Sequence, residues 1–144
     1  MIVEKGKIIR HSGDKGGYYK IEGNHDIIIS KKIKLPKDPV VYFDLQGSKI
    51  IVEDNVSFSE GVIVFTHSHY FEKSNWRDLP IIRVSNPTIF REKSYIGTNA
   101  IILDTCKYIG VSSVIGTGSV VTKNVPDYEI WAGNPAKKIG DVEK

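Results

Sequence analysis

The stretch Thr66-His67-Ser68-His69-Tyr70 carries the side chains of this chain best suited to chemistry. Imidazole titrates close to neutral pH, so a positioned histidine can take a proton from a hydroxyl that is a poor nucleophile while protonated. Two histidines one residue apart could also begin a metal site, but a catalytic zinc needs three protein ligands. The remaining pair, His11 and His25, lies far upstream, so no metal is expected. Shortly after the histidines come Trp76, Arg77, Asp78 and Pro80. Aromatic and charged groups in such a stretch could bind a polar substrate, and an irregular packing loop is the other reading. The single cysteine, Cys106, excludes an internal disulfide and reads as a small packing residue rather than a nucleophile.

These groups need a scaffold, and the spacing of apolar residues supplies one. Phe90, Ile96 and Ile102, then after one extra residue Ile109, Ile115 and Val121, each open a six-residue step. Four positions after them sit Ser94, Ala100, Cys106, Ser113, Ser119 and Val125. Val52, Phe58 and Val64 keep the same phase, with Val56 and Val62 in the second inward position. A fixed short period marks a β-solenoid, whose coils must stack because none can bury its core alone. Three six-residue sides give a coil of about eighteen residues, and coils stack at the roughly 4.8 Å spacing of paired strands. Gly97, Gly110 and Gly116 each follow an inward isoleucine. They fit bends where a Cβ would crowd the next wall or where φ is unusual.

The expected organisation is a single all-β domain over 1–144. It has a strand-and-turn cap over 1–38, the solenoid over 39–125 with a loop at 65–89, and a tail over 126–144. The cap lacks the six-residue step. Its runs Ile2 to Ile9 and Ile27 to Ile33 lie between turn-rich stretches, and the open end of a solenoid calls for an atypical terminal element. Trp131 is expected to plug the core at the other end. At 40% hydrophobic residues the chain supports one modest core. Its formal charge of +3 comes from 20 basic and 17 acidic residues, largely interleaved, which points to a solvated surface and away from nucleic acid. No run approaches the roughly 20 apolar residues of a membrane span, and Met1 to Arg10 lacks the apolar core of a signal peptide. A cytoplasmic protein is expected.

Several pieces taken together carry a family resemblance: Val52-Glu53-Asp54-Asn55-Val56, Thr66 to His69, Tyr95-Ile96-Gly97, Ile115 to Lys123, and Ala132-Gly133-Asn134-Pro135-Ala136. Through them the chain, from about Lys49 to Ile139, resembles the hexapeptide-repeat acyltransferases, in the branch of maltose, galactoside and polysaccharide O-acetyltransferases. The resemblance implies a left-handed parallel β-helix, a handedness that the general preference for right-handed crossovers does not give. It implies direct transfer of an acetyl group from acetyl-CoA to a saccharide hydroxyl, with His69 as general base and His67 as the alternative. It places Tyr95 beside the pantetheine arm, Thr98 and Thr117 along it, and Thr122 and Lys123 near the nucleotide phosphates, where a cation offsets phosphate charge. Without the motif, Lys123 is equally well a solvated lysine at a turn. A homotrimer with sites between adjacent prisms is also implied.

Two departures bear on the acceptor. The simple sugar acetyltransferases open with a helical segment, whereas Met1 to Asp38 shows no helical period. Where they place polar acceptor-binding residues, this chain has Pro39 and Gly47. A surface-polysaccharide or lipid-linked glycan precursor is therefore the expected acceptor, with His67, Trp76, Arg77 and Asp78 as candidate contacts. Three readings compete. An N-acetyltransferase for an amino sugar nucleotide shares the fold and the histidine. A zinc carbonic anhydrase on the same solenoid lacks its third histidine here. A binding or structural solenoid would have no activity at all.

Overall fold

A computed structural model describes residues 2–4, 8–12, 16–70, 81–82 and 86–144, with side chains described over 16–68 and 86–144. Strands β1 (Ile2–Glu4) and β2 (Ile8–Ser12) precede β3 (Gly17–Glu22) and β4 (Ile27–Ile29). The next coil runs through β5 (Val41–Asp44), β6 (Ile50–Val52) and β7 (Ser57–Phe58). A third opens with β8 (Ile63–Val64), departs into β9 (His69–Tyr70) and β10 (Ile81–Ile82), and resumes with β11 (Thr88–Phe90) and β12 (Tyr95–Ile96). Then follow β13 (Ile101–Ile102), β14 (Tyr108–Ile109), β15 (Val114–Ile115) and β16 (Val120–Val121), and the tail forms β17 (Glu129–Gly133) and β18 (Ala136–Asp141). Among the described residues there is no helix.

Pairing sorts these strands into three walls. The first has the order β16-β13-β8-β5-β3-β2, the second β1-β4-β6-β11-β14, and the third β18-β17-β15-β12-β7. Successive coils pair in parallel, so that Ile63 lies beside Ile101 and Ile101 beside Val120. The chain visits the walls in turn, which gives every complete coil three corners. Inward positions of the hexads are buried: Val52, Phe58, Val64, Phe90, Ile96, Ile102, Ile109, Ile115 and Val121 are all 4% exposed or less. Each such side chain contributes roughly 1.5–3 kcal/mol by leaving water. Phe43, Phe58 and Phe90, one from each wall, meet edge to face with centroids 5.3 and 5.1 Å apart, the arrangement ring quadrupoles favour.

The corners are not alike. At the second-to-third-wall corner Asn55, Lys93, Ser112 and Tyr128 have φ between 55° and 62°. At the third-to-first-wall corner Gly61, Asn99 and Gly118 do the same, at 74°, 59° and 70°. One left-handed residue per turn lets these corners close tightly, and Asn and Gly tolerate that conformation best. The small inward residues follow from the same turns. Ser113 and Ser119 donate their hydroxyls to the carbonyls of Gly110 and Gly116, at 2.8 and 2.7 Å. At Gly97 and Gly110 an added Cβ would stand 2.7 and 2.4 Å from the backbone nitrogens of Thr117 and Asp127. Crowding by the next coil is therefore what requires glycine there, and neither position has a positive φ.

The solenoid begins earlier, and the cap ends earlier, than the sequence pattern suggests. β3 pairs in parallel with β5, β4 pairs in parallel with β6, and Lys34 bridges to Ser57, so residues 17–38 form a coil of the solenoid. The antiparallel pairs β1 with β4 and β2 with β3 cover the exposed edges of the second and first walls. At the other end β17 joins the third wall and β18 folds back on it. There Trp131 packs on the core and donates Nε1–H to Glu129 at 3.0 Å.

Candidate active site

The first-to-second-wall corner is the irregular one. Its residues stack as 22–26, 45–49, 65–68, 103–107 and 122–124, and the long insertion of the chain leaves from the third of these. β9 and β10 pair antiparallel there, with Ile82 opposite His69 and Ile81 opposite Tyr70. The backbone of His69 thus starts one strand of a two-stranded ribbon, and the side chain of His69 lies outside the described ones. Trp76, Arg77 and Asp78 also lie outside the described residues.

The three residues before His69 are clamped from both sides. Asp44, fully buried at the end of β5, receives the Thr66 backbone N–H on Oδ2 at 2.9 Å and holds His67 Nδ1 with the same oxygen at 2.5 Å. Its other oxygen, Oδ1, accepts the Gln46 N–H at 3.1 Å. Thr66 Oγ1 donates to the Asp44 carbonyl at 2.8 Å and accepts the N–H groups of Gly47 and Ser48 at 3.0 and 3.2 Å. On the C-terminal side Ser68 donates its hydroxyl to Asp104 at 3.0 Å. Glycine is needed at position 47 because a Cβ would stand 2.1 Å from the Thr66 carbonyl oxygen. A buried carboxylate must be paired and hydrogen-bonded to be tolerated, and Asp44 is both. The contact of Nδ1 with Asp44 fixes the orientation of the His67 ring.

A lysine completes the corner. Lys107 Nζ donates to Thr88 Oγ1 at 3.2 Å. Burial pushes its ammonium below the usual lysine range, while Asp104, Cys106 and Asp44 pull the other way. Among the described residues no three His, Cys, Asp or Glu side chains gather to hold a metal. Cys106 points into the core, and burial pushes its thiol up to about 12. Asp44, Asp104 and Lys107 escaped the sequence reading. The available signal for Asp44 was an acid closing the apolar run Val40 to Phe43.

The residues expected along the donor lie on a different edge. Tyr95 stands on the third wall, 44% exposed, with its hydroxyl 3.0 Å from Ser59 Oγ. Thr98 and Thr117 stack at the third-to-first-wall corner, where the Gly118 N–H donates to the Thr98 carbonyl at 2.8 Å. Thr98 Oγ1 also donates to Glu60 at 3.3 Å. Thr122 and Lys123 follow β16 and share the corner column of His67. Within one chain the whole first wall separates Tyr95, Thr98 and Thr117 from His67, Thr122 and Lys123.

No protein-family model matches the chain. YJL218W of Saccharomyces cerevisiae, a provisionally named acetyltransferase, is 33% identical over 98 residues, 68% of this chain and 48% of that protein. The chain thus spans about half the length of this relative, and about a quarter of the length of two other acetyltransferases that it matches. Among solved structures, the maltose O-acetyltransferase of Clostridium difficile 630 superposes with a TM-score of 0.62 at 26% identity, covering 86% of this chain and 71% of that one. The polySia-specific acetyltransferase NeuO superposes with a TM-score of 0.57, also at 26% identity, covering 85% of this chain and 65% of that one.

Proposed function

This chain belongs to the hexapeptide-repeat acyltransferases, proteins of left-handed parallel β-helix fold, and from that premise we propose that it moves an acetyl group from acetyl-CoA to a saccharide hydroxyl in surface-polysaccharide biosynthesis. The observation that carries this reading is the clamp of Asp44 and Asp104 on residues 66–68, which fixes where His69 leaves the prism. His69 takes the acceptor hydroxyl proton as the oxygen attacks the thioester carbonyl. The C–S bond then breaks, and the departing CoA thiolate recovers that proton. A backbone N–H aimed at the tetrahedral oxyanion would lower the barrier by a few kcal/mol.

Acetyl-CoA fits the exposed, polar strip of Tyr95, Thr98 and Thr117 on one edge and Thr122 with Lys123 on the other. Those two edges lie on opposite sides of the first wall, and a donor held in a cleft between two subunits would touch one edge of each. This supports a homotrimer in which the third-wall corner of one prism faces the histidine corner of the next. His67, Trp76, Arg77 and Asp78 are the proposed acceptor contacts. The reading places the protein in the cytoplasm, where acetyl-CoA is available. No helix among the described residues is long and apolar enough to cross a membrane.

A second assignment of the base has its own support. The Asp44–His67 pair is a carboxylate holding an imidazole by Nδ1, the arrangement that readies Nε2 for proton abstraction. Following thiol release from acetyl-CoA against hydroxyl-bearing and amino sugars tests the whole reading. Release that depends on a sugar hydroxyl supports it. Release only with amino sugars would replace it by N-acetylation, and no release with any sugar would leave a non-catalytic solenoid.

A further inference from the structure

Beside the histidine corner, one coil toward the N-terminus, lies a concavity of about 360 Å³ lined by Glu22, Gly23, Asn24 and Gln46. We propose that it is the acceptor subsite and that it takes an uncharged, hydroxyl-rich sugar ring, an inference that rests on the acetyl-transfer reading. Its placement follows from the stacking of corners. Asp44 Oδ1 holds the Gln46 N–H while Oδ2 holds His67. One buried carboxylate therefore fixes both a wall of the concavity and the segment that leads into His69.

The direction of approach agrees. Of the residues expected along the donor, Tyr95 and Thr98 belong to the histidines' own coil and Thr117, Thr122 and Lys123 to coils C-terminal to it. The N-terminal side of the histidine corner is therefore left for the acceptor oxygen that the base deprotonates. There the two corner segments are tied together before any ligand arrives. Leu45 N–H donates to the Glu22 carbonyl at 2.7 Å, and His25 N–H donates to the Leu45 carbonyl at 3.1 Å. At Gly23, with φ +129°, a Cβ would stand 2.3 Å from the Leu45 carbonyl carbon, so the floor stays open and close to backbone. A preformed site avoids the ordering cost of binding.

The lining chemistry selects the ligand. One carboxylate and two carboxamides offer both donors and acceptors, which is what adjacent hydroxyls on a ring require. Tyr42 donates its hydroxyl to Glu22 at 3.3 Å, which orients the carboxylate. Among the described residues no cation lines the concavity, and Glu22 opposes a phosphate or a sugar carboxylate.

The test combines titration and kinetics on the intact protein, with methyl β-galactoside and N-acetylglucosamine as neutral probes and glucose 6-phosphate and N-acetylneuraminate as anionic ones. The neutral probes should shift the backbone amides of Gly23 and Gln46 in a 1H–15N spectrum. Gln46→Ala and Glu22→Gln should each raise the acceptor KM about tenfold while kcat falls less, and Glu22→Gln should narrow the preference for neutral over anionic acceptors. Shifts at Gly23 and Gln46 without acetyl transfer would keep the subsite and remove the acetyl-transfer reading. Acetyl transfer with those amides unmoved and KM unchanged in both variants would remove the subsite, as would transfer to the anionic probes alone.

Discussion

Asp44 offers the sharpest test of how the corner is built. Asp44→Ala removes the acceptor of three groups: the Thr66 N–H at 2.9 Å, the Gln46 N–H at 3.1 Å and His67 Nδ1 at 2.5 Å. Thr66 is fully buried, so its stranded N–H costs about 1–3 kcal/mol. His67 and Gln46 reach water more easily and add less each. Together with the lost volume the change should cost about 3–5 kcal/mol, the range for breaking a buried charged pair. At about 3 °C per kcal/mol for a chain of this size, the melting temperature should fall by about 10–15 °C. Asp44→Asn keeps the volume and, with its oxygen in the place of Oδ2, the acceptor of both Thr66 and His67, so it should cost only about 1–2 kcal/mol. Its amide N–H then faces the Gln46 N–H, which loses its acceptor, while His67 keeps its proton on Nδ1. Circular dichroism melts measure the first effect and imidazole 15N shifts the second. An Asp44→Ala protein within about 1 kcal/mol of wild type, or an Asp44→Asn protein whose ring proton has moved to Nε2, would refute the described geometry.

Other consequences can be checked on the same protein. Gly47→Ala should cost about 3 kcal/mol, because its Cβ meets rigid backbone, whereas Gly118→Ala, with φ +70° and open space around it, should cost about 1; equal losses in chemical denaturation would contradict the crowding explanation. The Tyr108 hydroxyl, at 2.5 Å, and then the Val111 N–H, at 2.8 Å, hold the Asp127 carboxyl below its usual range. A carboxylate with a depressed folded pKa stabilises above its unfolded pKa near 3.8 and loses that contribution as pH falls through the lower folded value. Melting temperatures should therefore drop more steeply below pH 4 in wild type than in Asp127→Asn, and parallel acid limbs would contradict this. Cys106, buried and with its thiol pushed up to about 12, should react with an aromatic disulfide at pH 8 only as fast as the protein unfolds; prompt labelling of the folded protein would show the core misassigned.

The regular half of the solenoid was legible because its two tight corners impose an unvarying step. From Phe90 to Val121 every inward residue falls six positions from the last, apart from one seven-residue step between Ile102 and Ile109. The first coil was not legible, and the reason lies in its corners. Inward residues Ile21, Ile29, Leu35, Phe43 and Val52 are separated by eight, six, eight and nine positions. The longer turns at 22–26 and 45–49 and the stretch through Pro36 and Pro39 stretch the period until it no longer stands out. The site shows the same division. The histidines announce themselves by residue type, whereas Asp44 acts from a neighbouring coil 23 residues away from His67, a contact that stacking creates and no local spacing records. Gly47 shows how a departure from a family pattern can itself be structural, since no side chain fits between that corner and Thr66.

The account stands most directly on the rate at which His69→Ala releases thiol from acetyl-CoA in the presence of a saturating sugar acceptor, with folding verified by its circular dichroism spectrum. A loss of about a hundredfold or more against wild type is predicted, the scale of a missing general base, with a smaller loss in His67→Ala. Wild-type rates in His69→Ala would contradict the account, and a loss confined to His67→Ala would move the base to the imidazole that Asp44 holds.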